Sequence, residues 1–168
     1  MSQQLDAFSF PLHGSRLIEA SAGTGKTWTI AALYLRLVLG HGGADGFARP
    51  LLPSEILVMT FTRAATRELS NRVRERLVEA AAYFRGELHL DDDYLANLAA
   101  ACDLNGGRQL AAHRLVLAAE TMDEAAIFTI DAWCQRMLRE HAFDSGSLFD
   151  EELVSDEHAL FEDAAHDY

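Results

Sequence analysis

Lysine is almost missing from this 168-residue sequence: thirteen arginines stand beside one lysine, Lys26. A composition that uses arginine at every other basic position has kept one compact ammonium, which marks that position as one a guanidinium does not fit. Long apolar runs are also missing. No stretch approaches the ~18 residues of a membrane-spanning helix, so no membrane partner is expected. Cysteine is scarce, and Cys102 and Cys134 lie 32 positions apart with no C-x-x-C spacing. That excludes a zinc ribbon or a disulfide framework and predicts two reduced core thiols. Only 3 prolines interrupt a chain that is 49% hydrophobic and 24% charged, a balance that belongs to a folded globular domain. The opening MSQQLDAFSF has no basic start followed by an apolar stretch, so it does not read as a secretory leader, and a cytoplasmic protein is expected.

The net charge of −12 argues at first against a nucleic-acid partner, because phosphates are met by Lys and Arg. The charge is unevenly distributed. Residues 1–85 carry ten basic groups against seven acids, while residues 86–168 carry four against nineteen. From Glu140 to Tyr168 there are ten acids and no Lys or Arg. The first half can therefore present a basic surface that the average conceals.

Residues 15–20 read as a short strand, followed by a glycine-rich turn and, from Trp28 to Leu39, apolar residues at helical spacing. Gly40 and the glycines near Asp45 end that helix. The nearly all-apolar Glu55-Ile-Leu-Val-Met-Thr60 predicts a strand covered on both faces of a parallel sheet. Arg63 to Phe84 reads as a long amphipathic helix with Leu69, Val73, Leu77 and Ala81 on its buried stripe and its arginines mostly elsewhere. Shorter helices are expected at 94–102 and 108–121. A third strand is expected at 125–130, leading into a helix over 131–141 with Asp131 as its N-cap. The acidic remainder, 143–168, reads as helical. Strands alternating with helices predict an α/β fold, a parallel sheet with flanking helices.

Ala20-Ser21-Ala22-Gly23-Thr24-Gly25-Lys26-Thr27 lies between the first expected strand and the first helix, where a phosphate loop belongs. The usual pattern begins with Gly where this chain has Ala20. The working parts are present nonetheless: Gly23 and Gly25 let the backbone wrap closely, successive N–H groups can converge on an anion, and a helix N-terminus adds partial positive charge. Lys26 would reach the β- and γ-phosphates, and Thr27 would offer its hydroxyl to Mg²⁺. Two further segments, Thr60-Phe-Thr-Arg-Ala-Ala and Phe128-Thr-Ile-Asp-Ala-Trp-Cys-Gln-Arg-Met-Leu138, put threonine and an aromatic at the C-terminal ends of strands, the ligand-binding edge of parallel sheets. Phe61 could stack on a base while Thr60, Thr62 and Thr129 meet phosphate and Arg63 and Arg67 lie on the next turn, a combination suited to single-stranded nucleic acid.

These segments resemble motifs I and Ia and the following DNA-binding motif of UvrD-like superfamily 1 helicases. Outside them, Ile30-Ala-Ala-Leu-Tyr-Leu-Arg-Leu37, Met122-Asp-Glu-Ala-Ala126 and Ala142-Phe-Asp-Ser-Gly-Ser-Leu-Phe149 are similar to the RecB-like branch, the beta subunits of exodeoxyribonuclease V. The likeness covers nearly all of residues 10–160. It implies a P-loop NTPase with a RecA-like parallel sheet, of which residues 1–140 are the first part of an ATP-binding motor domain and 141–168 the acidic start of a helical insertion. It implies ATP and Mg²⁺ as cofactors, Lys26 and Thr27 as catalytic residues, and single-stranded DNA or DNA ends as partner. It also implies 3′-to-5′ movement alongside RecC-like and RecD-like subunits in double-strand break repair.

Two departures stand out. Where the family places a glutamine that reads adenine this chain has His13, and where its third motif commonly carries His this chain has Asp131. An Asp-Glu pair following an apolar strand, needed to hold Mg²⁺ and position water, is not evident. Asp123-Glu124 precedes its strand, and Asp150-Glu151 and Asp156-Glu157 have no clear strand before them. The chain therefore reads as the N-terminal fragment of a longer helicase. The competing readings are a small stand-alone P-loop kinase and a non-catalytic DNA-binding or assembly module.

Overall fold

A computed structural model describes residues 5–21, 23–104 and 107–141, together with 161 and 165. The chain forms two compact units, one ending at Ile130 and the other starting at Asp131. The first holds helices α1 (Lys26–Leu39), α2 (Arg63–Arg85), α3 (Asp93–Leu104) and α4 (Arg108–Glu120) and strands β1 (Val58–Thr60) and β2 (Ile127–Thr129). Helix α5 (Ile130–Glu140) follows directly.

Each helix end has a local chemical cause. The last turns of α1 and α2 close on left-handed glycines: Gly40 and Gly86 take φ of 66° and 76°. Beyond α1, His41 N–H donates to the Arg36 carbonyl at 2.9 Å and Gly40 N–H to Leu37 at 3.3 Å. Beyond α2, Glu87 and Gly86 donate in the same way to Ala82 and Tyr83, both at 3.0 Å. This double bond pattern satisfies carbonyls that a helix end leaves without partners. Thr62 caps the start of α2, its Oγ1 accepting from Ala65 N–H at 3.1 Å. Asp92 does the same for α3, accepting from Leu95 N–H at 3.0 Å.

Helix α2 organises the first unit, packing on α1, α3, α4 and both strands. Its expected stripe is buried, with Leu69, Val73, Leu77 and Ala81 all nearly inaccessible. Arg76 is buried as well. It donates to Glu79 at 3.0 Å and to Asp92 at 2.6 Å and lies over the Tyr94 ring, so two carboxylates and an aromatic face offset its desolvation. Tyr94 in turn donates its hydroxyl to the Ala32 carbonyl of α1 at 2.6 Å.

Four expectations need correction. The sheet among the described residues has two strands, not three: β1 and β2 are parallel, with Val58 opposite Ile127, Met59 opposite Phe128 and Thr60 opposite Thr129. Residues 15–20 form no strand; they are exposed, Leu17 to 84%. A strand exists only through a neighbour, and no described residue supplies one. For the same reason β1 is not covered on both faces, and Leu57 and Met59 face solvent. Cys134 is exposed and so is no core thiol, while Cys102 is half-buried against the core. Asp131 lies in the first turn of α5 and not at its cap. The acidic segment expected to be helical lies outside the described residues, apart from helical positions at 161 and 165.

Adjacent residues of α2 test this packing. Leu77 is fully buried and Val78 is 54% exposed. Leu77→Ala should lower unfolding free energy by about 2–5 kcal/mol, and Val78→Ala should stay within about 0.5 kcal/mol of the unchanged chain. Urea unfolding curves measure both.

Candidate functional site

The phosphate-loop sequence sits at the start of α1, as its spacing predicts. Gly23 and Gly25 both take left-handed backbone, φ 77° and 83°. A Cβ at either position would meet nothing within 4 Å. The requirement for glycine is therefore one of backbone conformation, and the space beside the loop is open. Gly25 occupies the cap position of α1, and its carbonyl accepts the first helical bond, from Thr29 N–H at 2.9 Å. Thr24 folds back on the loop, donating its hydroxyl to the Ser21 carbonyl at 2.8 Å. Ala22 lies outside the described residues.

Lys26 is the first residue of α1, and its ammonium donates to the carbonyls of Ala20 at 3.2 Å and Ser21 at 2.5 Å. The lysine thus bridges back across the loop to its opening residues. Carbonyls carry only partial charge, so a phosphate offers this ammonium a stronger, charge-assisted partner at the same place. The loop is one wall of a cavity of about 560 Å³ that is also bounded by Leu5, Arg16, Ile18, Thr29 and Ile30. Thr27 faces a separate cleft between α1 and α2 that includes Trp28, Arg72 and Arg76.

The residues fit a nucleoside triphosphate: backbone N–H groups at a helix N-terminus, one ammonium and an open apolar-sided cavity. For Mg²⁺ the loop offers the hydroxyl of Thr27, a residue that lines the cleft between α1 and α2 and not the cavity beside Lys26. No group of three or more His, Cys, Asp or Glu side chains able to hold a metal occurs among the described residues. That suits Mg²⁺ carried mainly by phosphates and water. Asp123 lies in a turn ahead of β2, does not line the loop's cavity and pairs with Arg74 at 2.6 Å.

Parallel pairing brings Thr60 and Thr129 side by side at the C-terminal ends of β1 and β2. Thr60 Oγ1 lies 2.6 Å from Thr66 Oγ1, and Thr62 spends its hydroxyl on the α2 cap. Those hydroxyls hold the turn in shape. Phe61 between them is 87% exposed, an unusual position for a phenylalanine. Arg63 and Arg67 are exposed and enter no salt bridge among the described residues. The arrangement is a projecting aromatic ring followed by two uncommitted positive charges at a helix start.

His13 is not part of the cavity wall; its Nε2 stands 3.6 Å from Asp45 Oδ1, both side chains exposed. The sequence reading passed over Arg36, which is 1% exposed. It donates to the carbonyls of Ala7 at 2.9 Å and Phe10 at 2.6 Å and to His41 Nδ1 at 3.2 Å. An arginine set within the apolar run of α1 was the available signal, since a guanidinium there must find acceptors inside the fold.

The His41 partnership is sensitive to pH. Its Nδ1 accepts from Arg36 and so carries no proton, and burial, aided by the adjacent guanidinium, holds its pKa below the ordinary value. Between that lowered value and the unfolded value of about 6.5, the unfolded chain binds more protons, so stability rises with pH through this window and is lost as pH falls. Urea midpoints from pH 5 to 7.5 should show a drop below about pH 6.5 that is smaller in His41→Gln, which keeps an acceptor and does not titrate. Parallel curves for the two proteins would contradict the assignment.

Comparison with known proteins agrees with this geometry. The UvrD/REP helicase N-terminal domain family matches residues 1–167. The RecBCD enzyme subunit RecB of Escherichia coli (strain K12) is 49% identical over 168 residues, covering 100% of this chain and 14% of that protein. The Haemophilus influenzae subunit of the same name is 45% identical over 171 residues, covering 98% of this chain and 14% of its own length. The Mycobacterium tuberculosis subunit is 32% identical over 123 residues. The chain thus spans about one-seventh of the length of the first two relatives.

Proposed function

The chain belongs to the UvrD/REP helicase family, with the RecB subunits among its relatives, and on that premise we propose that it is the ATP-binding N-terminal segment of a RecB-like 3′-to-5′ helicase and nuclease subunit. The observation that carries this reading is the loop itself: two left-handed glycines, then a helix whose first residue, Lys26, reaches back across the opening. In this reading residues 20–27 hold the triphosphate, Lys26 exchanges its carbonyl partners for β- and γ-phosphate oxygens, and Thr27 contributes one oxygen to Mg²⁺. Bound Mg²⁺ supplies charge neutralisation at the phosphates.

The strand ends supply the second half of the reading. Phe61 offers a stacking face to a base of single-stranded DNA, worth about 1–3 kcal/mol per base in such sites. Arg63 meets the phosphate backbone from the next turn, with Thr60, Thr62 and Thr129 setting the height of that edge. A RecA-like motor domain, RecC-like and RecD-like partners, and a role in double-strand break repair belong to the same proposal. Hydrolysis requires an Asp-Glu pair and several arginines; among the described residues the loop's cavity receives Arg16 and Glu19 but no such pair. One such arginine accounts for roughly 10³–10⁵ in rate in related phosphoryl-transfer enzymes. The 168 residues alone should therefore bind Mg²⁺-ATP weakly and turn it over no faster than background, with or without single-stranded DNA.

Replacing the one lysine tests the reading. Lys26→Ala should abolish nucleotide binding. In the longer enzyme Lys26→Arg should keep part of the binding and lose turnover, since a planar guanidinium misplaces the charge. Equilibrium binding with and without Mg²⁺, followed by phosphate release, reports both. Full activity in Lys26→Arg would refute the geometric argument. DNA-stimulated hydrolysis by the 168 residues, lost in Lys26→Ala, would place the missing acids within this chain and overturn the fragment reading.

A further inference from the structure

We propose that Arg36 is a positioning residue for the nucleotide site: it fixes the arm formed by residues 5–13, whose first residue, Leu5, borders the cavity beside Lys26. The inference rests on the nucleotide reading of the phosphate loop and adds to it a residue remote from the phosphates.

The arm contains no helix or strand. It meets the rest of the fold through Ala7, which is buried in the core, through Phe8, which packs against that core, and through backbone groups. Arg36 Nη1 takes two of its carbonyls at once, Ala7 at 2.9 Å and Phe10 at 2.6 Å. Carbonyls three residues apart converge on one nitrogen only if the chain turns between them. Asp6 closes that turn, accepting from Phe8 N–H at 3.0 Å and from the Ser9 hydroxyl at 2.5 Å. Further along, Leu12 N–H donates to the Asp45 carbonyl at 2.7 Å.

The opposite side of the guanidinium is shaped to receive it. His41 accepts from Nε while its ring lies 4.7 Å from that of Phe8. At Gly42, φ 129°, a Cβ would stand 2.8 Å from Arg36 Nη2, so the turn after α1 leaves room for the guanidinium only because that residue is glycine.

Lys26 and Arg36 are ten residues apart on one rigid helix, about 15 Å at 1.5 Å per residue. The phosphate-binding end and the arm's anchor are therefore held at a fixed spacing. From the anchor the arm returns to the cavity, where Leu5 stands with Ile18, Lys26, Thr29 and Ile30. The part of a nucleotide that lies beyond the phosphates, its base and ribose, is what such a wall would contact. Loosening the arm should thus weaken a ligand that has a nucleoside and spare one that consists of phosphates alone. A merely structural arginine would affect both alike.

The test titrates Mg²⁺-ATP and inorganic tripolyphosphate into the 168-residue chain by calorimetry, comparing the unchanged protein with Arg36→Lys and Asp6→Ala. Lysine keeps the charge but cannot reproduce the fork. Asp6 is exposed, so its replacement loosens the arm without entering the core and carries the test should Arg36→Lys not fold. ATP affinity should fall about tenfold in Arg36→Lys and about threefold in Asp6→Ala, with tripolyphosphate within twofold of the unchanged chain. ATP affinity within twofold of the unchanged chain, or a parallel loss of both ligands, overturns the role of Arg36. Equal affinity of the unchanged chain for the two ligands also overturns it while leaving the phosphate loop intact. If the unchanged chain binds neither ligand, the nucleotide reading falls and this inference with it.

Discussion

Two left-handed backbone positions, Gly23 and Gly25, decide where α1 begins, and the candidate site follows from that start. Because the helix opens at Lys26, the only ammonium among the side chains stands at the positive end of a helix dipole with unsatisfied N–H groups beside it. A non-glycine residue at either position would have to adopt a strained conformation, for which the open surroundings offer no compensating contact. The lysine donates to the carbonyls of Ala20 and Ser21, partners weaker than phosphate oxygens. Helix α2 and the Arg36 cluster then hold α1 in place, the former through a buried stripe and the latter through three acceptors on one guanidinium.

What could be read from the sequence was mostly local. The helices declared themselves through spacing, and their ends through Gly40, Gly86 and Thr62, because caps depend on residues within a turn or two of the helix. The phosphate loop could be read for the same reason. The order of glycines, lysine and threonine is a local instruction to the backbone. The strand at 15–20 was not a sound expectation from this chain alone. Leu17 and Ile18 favour an extended conformation, yet a sheet forms only with neighbours, and Leu17 remains exposed. The same non-local dependence uncovers Met59 in β1 and Leu57 just before it.

Charge was legible in sum and misleading in detail. The sequence sets the α2 arginines mostly off the buried stripe, yet Arg76 lies inside with Asp92 and Glu79, while Arg74 pairs with Asp123 at the surface. Among the described residues Arg63 and Arg67 have no carboxylate partners and stand beside exposed Phe61, a disposition that suits a phosphate backbone. Family membership excludes the stand-alone kinase reading. The non-catalytic assembly module is separated from a motor segment by whether the loop takes nucleotide at all.

Amide hydrogen exchange over residues 20–30, with and without Mg²⁺-ATP, bears most directly on the claim that this loop is a nucleotide site. Bound phosphate should slow exchange at Gly23 through Thr27 in the unchanged chain and leave the same amides of Lys26→Ala unaffected. Unaltered exchange at the loop, or equal slowing in both proteins, would contradict it.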